Sequence, residues 1–131
     1  MKDKSIKQEK QKRTHIFSGS TFEELAGYSR AVVVGDHIYV SGTVGINFQT
    51  GKLPEDAAGQ AEKALDTIEK ALHQAQSGLH DMVRVRVFLT SPNHVPGSQF
   101  RFEAKSRIHP TCQYHRLHCF GRSGMPCGNR G

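Results

Sequence analysis

A chain of 131 residues is one domain's worth and long enough to enclose a single core. It is 36% apolar with no run near the length of a membrane span, so it reads as a soluble protein. Its first thirteen residues hold six Lys or Arg and no apolar stretch, which excludes a secretory leader and leaves a cytoplasmic protein as the expectation.

The net charge of +6 raises the question of nucleic acid, and its placement answers it. Residues 1–13 carry six cations against two acids, and residues 104–131 carry five cations and no acid. Ten acids and seven cations lie between, so the centre is mildly acidic. A nucleic-acid domain gathers its cations on one face. Here phosphate binding would rest on the tails alone, and no nucleic-acid or membrane partner is expected. The cysteines, Cys112, Cys119 and Cys127, are three and lie near the C-terminal end, which suits free thiols better than a disulfide framework.

In chain order, residues 1–13 are polar, Lys-rich and without periodicity, and read as disordered. Thr14–Phe17 is a short first strand, followed by a turn at Ser18–Thr21. Ala31–Val34 and His37–Val40 flank Gly35-Asp36 and predict a hairpin. Ser41-Gly42 ends its second strand, where a backbone can come close to something else. Asn47–Lys52 is a loop.

A helix is expected from about Asp56 to Gln76. Ala57, Ala61, Ala64, Leu65, Ile68, Ala71, Leu72 and Ala75 form one apolar stripe, with Asp56 as N-cap and Gly78 as stop. Its alanines permit close approach to a sheet. Met82–Leu89 is the strongest strand: Val83, Val85, Val87 and Leu89 share the face that should meet the helix, and Arg84, Arg86 and Phe88 share the other. Right-handed crossover favours laying this strand parallel to an earlier one. The fold class is α+β, a sandwich of mixed sheet with helices packed on one face. The other face is then solvated or buried in an oligomer.

The segments FEELAGYSR (Phe22–Arg30), HIYVSG (His37–Gly42), TGKL (Thr50–Leu53), the helix over Ala58–Ala75 and MVRVRVFL (Met82–Leu89) follow one another as they do in the RidA family, also called YjgF or endoribonuclease L-PSP. The resemblance covers about residues 14–95. It implies a chorismate-mutase-like domain, residues 14–110, in a homotrimer with ligand sites in clefts between subunits. The implied activity is hydrolysis of enamine and imine acids such as 2-aminoacrylate to a keto acid and ammonia, with no metal or organic cofactor. Position by position, Tyr28 matches the cleft tyrosine, Ser41 the serine at the hairpin's end, and Gly42 the small residue after it. Arg84 or Arg86 is a candidate cation for the substrate carboxylate, although neither matches the family's site position. Two other readings stand beside this one: a ligand-binding or chaperone-like trimer without chemistry, and a single-strand endoribonuclease or translation inhibitor.

Beyond about Val95 the resemblance lapses. Ser98–Arg107 reads as a short helix and Ile108-His109-Pro110 as the start of a strand. Residues 111–131 form an atypical tail with no strand signal, so the family's C-terminal strands are expected to be lacking and the fold weak. Cys112, His115, His118 and Cys119 crowd into eight residues, too tight for an ordinary zinc site, and no metal is expected. Codons permitted for Cys112–His115 and Gly128–Gly131, read one nucleotide later, spell Ala-Asn-Thr-Thr and Glu-Ile-Glu, the strings the family carries there. The Asn stands where deaminase members carry their carboxylate-binding Arg. The tail is thus expected to be out of frame. Sequencing the coding DNA around residues 96–131 should reveal the frame change, and a clean in-frame tail overturns the idea.

Overall fold

The computed structural model describes residues 11–97, together with the strands Gln113–Tyr114 and His118–Cys119. The first strand, β1 (Arg13–Ile16), starts one residue earlier than the sequence suggests. After the expected turn comes α1 (Thr21–Ala26), over residues to which the sequence reading assigned no element. Ser20 caps α1, its hydroxyl accepting from the Phe22 amide at 3.3 Å. Gly27 closes the helix in the left-handed region at φ 65°, donating its amide to the Glu23 carbonyl.

The hairpin forms as its residues predict. β2 (Ala31–Val34) and β3 (His37–Val40) pair antiparallel from Val34↔His37 to Ala31↔Val40, and β1 joins the far side of β2. The pleat sends Ile16, Ala31, Val33, Ile38 and Val40 to one face. Against that face lies α2 (Ala57–Gln74), capped by the Asp56 carboxylate, which accepts from the Gly59 amide at 3.0 Å. Ala61, Leu65, Ala71 and Leu72 of the stripe are buried, with Ile68 and Ala75 at its margins. Enclosing Leu65 completely is worth about 1.5–3 kcal/mol. The exposed Lys63–Asp66 pair on the same helix, at 3.9 Å, adds at most about 0.5 kcal/mol. Apolar contact with the sheet therefore holds α2 in place.

The loop after β3 returns across the start of α2, and Gly45 makes that passage possible. A Cβ there would collide with the Gln60 carbonyl oxygen, so no side chain fits between loop and helix.

Four expectations are corrected. The helix, expected to reach about Gln76 with Gly78 as its stop, ends at Gln74: the Gln76 amide bonds the His73 carbonyl and the Ser77 amide the Leu72 carbonyl, with Gln76 itself at φ 59°. That is a Schellman closure with glutamine in the glycine position. The long strand over 82–89 is two short ones, β4 (Arg84–Val85) and β5 (Phe88–Leu89). A 3₁₀ turn at Leu79–Asp81 precedes them and carries Leu79 and Met82 into the core, leaving Val83 80% exposed, away from the helix face assigned to it. Val85 and Val87 do pack there. Third, β4 and β5 are not bonded to β1–β3 among the described residues.

Their partners lie in the tail, which is the fourth correction. β6 (Gln113–Tyr114) runs parallel to β4 and β7 (His118–Cys119) parallel to β5, so the segment without strand signal does supply strand backbone. Each pairing spans two residues, too short for side-chain alternation to announce it. Antiparallel and parallel pairing with α2 on one face is the α+β class expected. The helix expected over 98–107 and the strand start at 108–110 lie outside the described residues. So do the shifted-frame strings at 112–115 and 128–131, apart from the backbone of Gln113 and Tyr114.

Relieving the left-handed glutamine should stabilise the fold. Gln76→Gly is expected to gain about 1 kcal/mol, read as a rise of a few degrees in Tm by calorimetry.

Candidate functional site

The end of the hairpin and the segment after α1 converge on one buried cation. Arg30, immediately before β2, is 1% exposed, and Glu23, on α1, is 3% exposed. Arg30 Nε donates to Glu23 Oε1 at 2.9 Å. Nη1 donates to the Gly42 carbonyl at 3.2 Å and to Thr43 Oγ1 at 3.0 Å. Nη2 donates to the Tyr28 hydroxyl at 3.0 Å, and the guanidinium carbon stands 5.3 Å from the centroid of that ring. The far side of Glu23 is held by Ser18, whose amide donates to Oε2 at 2.8 Å and whose hydroxyl donates to Oε1.

Burial alone pushes the Glu23 carboxyl up. The hydrogen bonds from the Ser18 hydroxyl and amide, then the bond and charge of Arg30, outweigh that and hold it below the usual glutamate value. The acid is ionised and fully engaged, which makes it a structural anion rather than a proton donor.

Two of the residues singled out in the sequence, Tyr28 and Gly42, meet at this cation, and a third, Ser41, lies beside it. Tyr28 is half-buried and accepts from Arg30. Gly42 contributes its carbonyl. Ser41 donates its hydroxyl to the Ser29 carbonyl at 2.7 Å, while its amide continues the hairpin by donating to the Arg30 carbonyl at 3.0 Å. Thr43 links the two sides, accepting from Arg30 and donating to the Ser41 carbonyl at 2.9 Å. Arg84 and Arg86 are exposed, and neither contacts Tyr28, Ser41 or Gly42.

The central pair escaped sequence reasoning although both members lie inside FEELAGYSR. The available signal was Ser20-x-x-Glu23, a helix-start pattern, with Gly27 as the stop. It places Glu23 on the first turn of a short helix, from which a carboxylate reaches back to the strand that follows. Among the described residues no group of three His, Cys, Asp or Glu could hold a metal; of the tail's Cys and His set, only the backbone of His118 and Cys119 is described. No helix among the described residues is long and apolar enough to cross a membrane.

The family model for Endoribonuclease L-PSP matches residues 19–103, which includes every member of this network except Ser18. The chain belongs to the RidA (YjgF, endoribonuclease L-PSP) family. Among RidA-family relatives, it is 37% identical over 82 residues to the RutC family protein UK114 of Drosophila melanogaster, covering 62% of this chain and 59% of that one. It is 31% identical over 80 residues to the 2-iminobutanoate/2-iminopropanoate deaminase of Escherichia coli K12, covering 61% and 62%. The chain thus spans about three-fifths of the length of these relatives. A solved YjgF/YER057c/UK114 family member from Mycobacterium tuberculosis superposes with a TM-score of 0.63 at 37% identity, over 74% of this chain and 79% of that one. A Rid-family protein from Yersinia pestis, at 24% identity and a TM-score of 0.69, shares the fold over 89% of this chain and 91% of that one.

Removing one member of a buried ion pair strands the other. Glu23→Ala or Arg30→Ala is expected to cost about 3–5 kcal/mol in urea unfolding, and Glu23→Gln with Arg30→Met together less than either. Because the folded carboxyl titrates below its unfolded value, the pair's contribution is complete above the ordinary glutamate pKa, about 4.3, and is lost as pH falls through the lower folded value. Acid unfolding curves should show that loss in the parent protein and flatten in the Glu23→Gln, Arg30→Met variant.

Proposed function

We propose that this protein hydrolyses reactive enamine or imine acids of the 2-aminoacrylate type to a keto acid and ammonia. The observation that carries the reading is that the three positions matching the family's cleft residues gather around Arg30, the Tyr28 hydroxyl and Gly42 carbonyl on its guanidinium and the Ser41 amide on its backbone carbonyl. Identity of 31% with a 2-iminobutanoate/2-iminopropanoate deaminase supports it.

An imine carbon is already electrophilic, so the site has to hold the acid, place a water and manage a proton. Tyr28 offers a phenol to the carboxylate. Ser41, its hydroxyl hydrogen engaged in the bond it donates to the Ser29 carbonyl, keeps lone pairs that accept from the attacking water or the imine N–H. Gly42 leaves the approach clear of side chain. In this reading the clefts lie between the subunits of a homotrimer in the cytoplasm, and Arg84 and Arg86 on the uncovered face are the cations a neighbouring subunit's cleft would recruit. The exposed Tyr39 and Phe88, at 63% and 54%, support burial of apolar surface by another subunit.

A second reading, binding of small carboxylates without turnover, draws on one observation. The carboxylate in the network, Glu23, is ionised and engaged, so it supplies no proton for departing ammonia.

Supplied with 2-aminoacrylate generated by an auxiliary enzyme, the protein should release ammonia above the uncatalysed rate, and Ser41→Ala should lower kcat/KM about tenfold or more. No acceleration by well-folded protein defeats the hydrolase reading, and carboxylate binding without turnover favours the second. Light scattering should give three times the 14.6 kDa chain mass.

A further inference from the structure

A guanidinium only donates, so each of its contacts fixes the role of the partner. The Tyr28 oxygen spends a lone pair on Arg30 Nη2 at 3.0 Å, and its own hydrogen is left for another acceptor. No acceptor takes it among the described residues. Tyr28 is half-buried whereas Arg30 is 1% exposed, so of the two residues it is Tyr28 that a ligand can meet. Glu23 at 2.9 Å neutralises that cation. What reaches the ligand is therefore a directed hydrogen bond rather than net positive charge.

We propose that Arg30 is a positioning residue for acid ligands: it makes Tyr28 a donor aimed at a ligand carboxylate oxygen. This rests on the reading of Tyr28 and Ser41 as cleft residues and names what that cleft selects, an acceptor atom on an anionic group. The role needs the planar fork. Glu23, Tyr28 and the Gly42–Thr43 corner lie in three directions from one planar group, and a lysine ammonium at position 30 can keep the Glu23 pair without spanning the others.

The test is a double-mutant cycle on the full chain with pyruvate, the keto acid of the proposed reaction, as the titrated probe. Arg30→Lys and Tyr28→Phe are each expected to raise the pyruvate Kd about tenfold, the loss of one hydrogen bond to a charged group. The double variant should bind no more weakly than Tyr28→Phe alone, because both changes remove the same contact. In turnover, both should raise KM with kcat changed far less, since the bond is made in ground and transition states alike. A purely structural role predicts a lower Tm for Arg30→Lys with pyruvate Kd unchanged, or losses that multiply in the double variant; either result overturns the inference. If Arg30→Lys does not fold, Glu23→Gln with Arg30→Met, which removes both charges, replaces it in the same cycle. Parent protein that binds pyruvate but hydrolyses no imine loses the proposed activity and leaves the inference standing. Parent protein that hydrolyses the imine but binds no pyruvate overturns the inference and leaves the proposed activity standing.

Discussion

The Glu23–Arg30 pair is the constraint on which the arrangement of β1, α1 and the hairpin depends. Two charges almost without solvent contact are tolerable only if their remaining donors and acceptors find partners. Ser18, Tyr28, Gly42 and Thr43 meet that demand, and no buried side-chain nitrogen or oxygen goes unsatisfied among the described residues. The need for partners dictates geometry. It brings the residues after β1, the exit of α1 and the end of β3 to one point, which three separate loops have no other reason to share.

Apolar contact does the remaining work. The alanine-rich stripe of α2 lies on the face formed by Ile16, Ala31, Val33, Ile38 and Val40, and Val85 and Val87 extend that layer beyond β3. Hydrophobic burial thus sets where the helix sits, and the polar network sets how the strand ends are arranged. Side chains on the opposite face, including Tyr39 and Phe88, receive no cover from α2.

Long-period patterns were legible in the sequence, and short-range geometry was not. Eight apolar positions at helical spacing gave α2 and its Asp56 cap, and β-branched runs around Gly35-Asp36 gave the hairpin. Alternation from Arg84 to Leu89 correctly separated exposed from half-buried positions, but it carried no warning of the 3₁₀ turn that rotates Val83 outward. Gly78 looked like the better helix stop than Gln76, because backbone closure by two amide bonds leaves no mark on composition. The six-residue α1 and the two-residue β6 and β7 lie below the length at which periodicity speaks. Likewise Tyr28, Ser41 and Gly42 could be named by likeness, whereas Arg30 needed coordinates, because a buried arginine and a solvated one look the same in a string of letters.

The contact at Gly45 has a mechanical side. With no side chain as a cushion, the segment descending from Thr43 bears directly on the Gln60 peptide in the first turns of α2. A tilt or axial slide of that helix cannot be absorbed locally by a rotamer change and must be passed to the Ser41–Thr43 corner. The helix therefore acts as a lever on that corner, and a force applied at its distant end is felt at Ser41 and its neighbours.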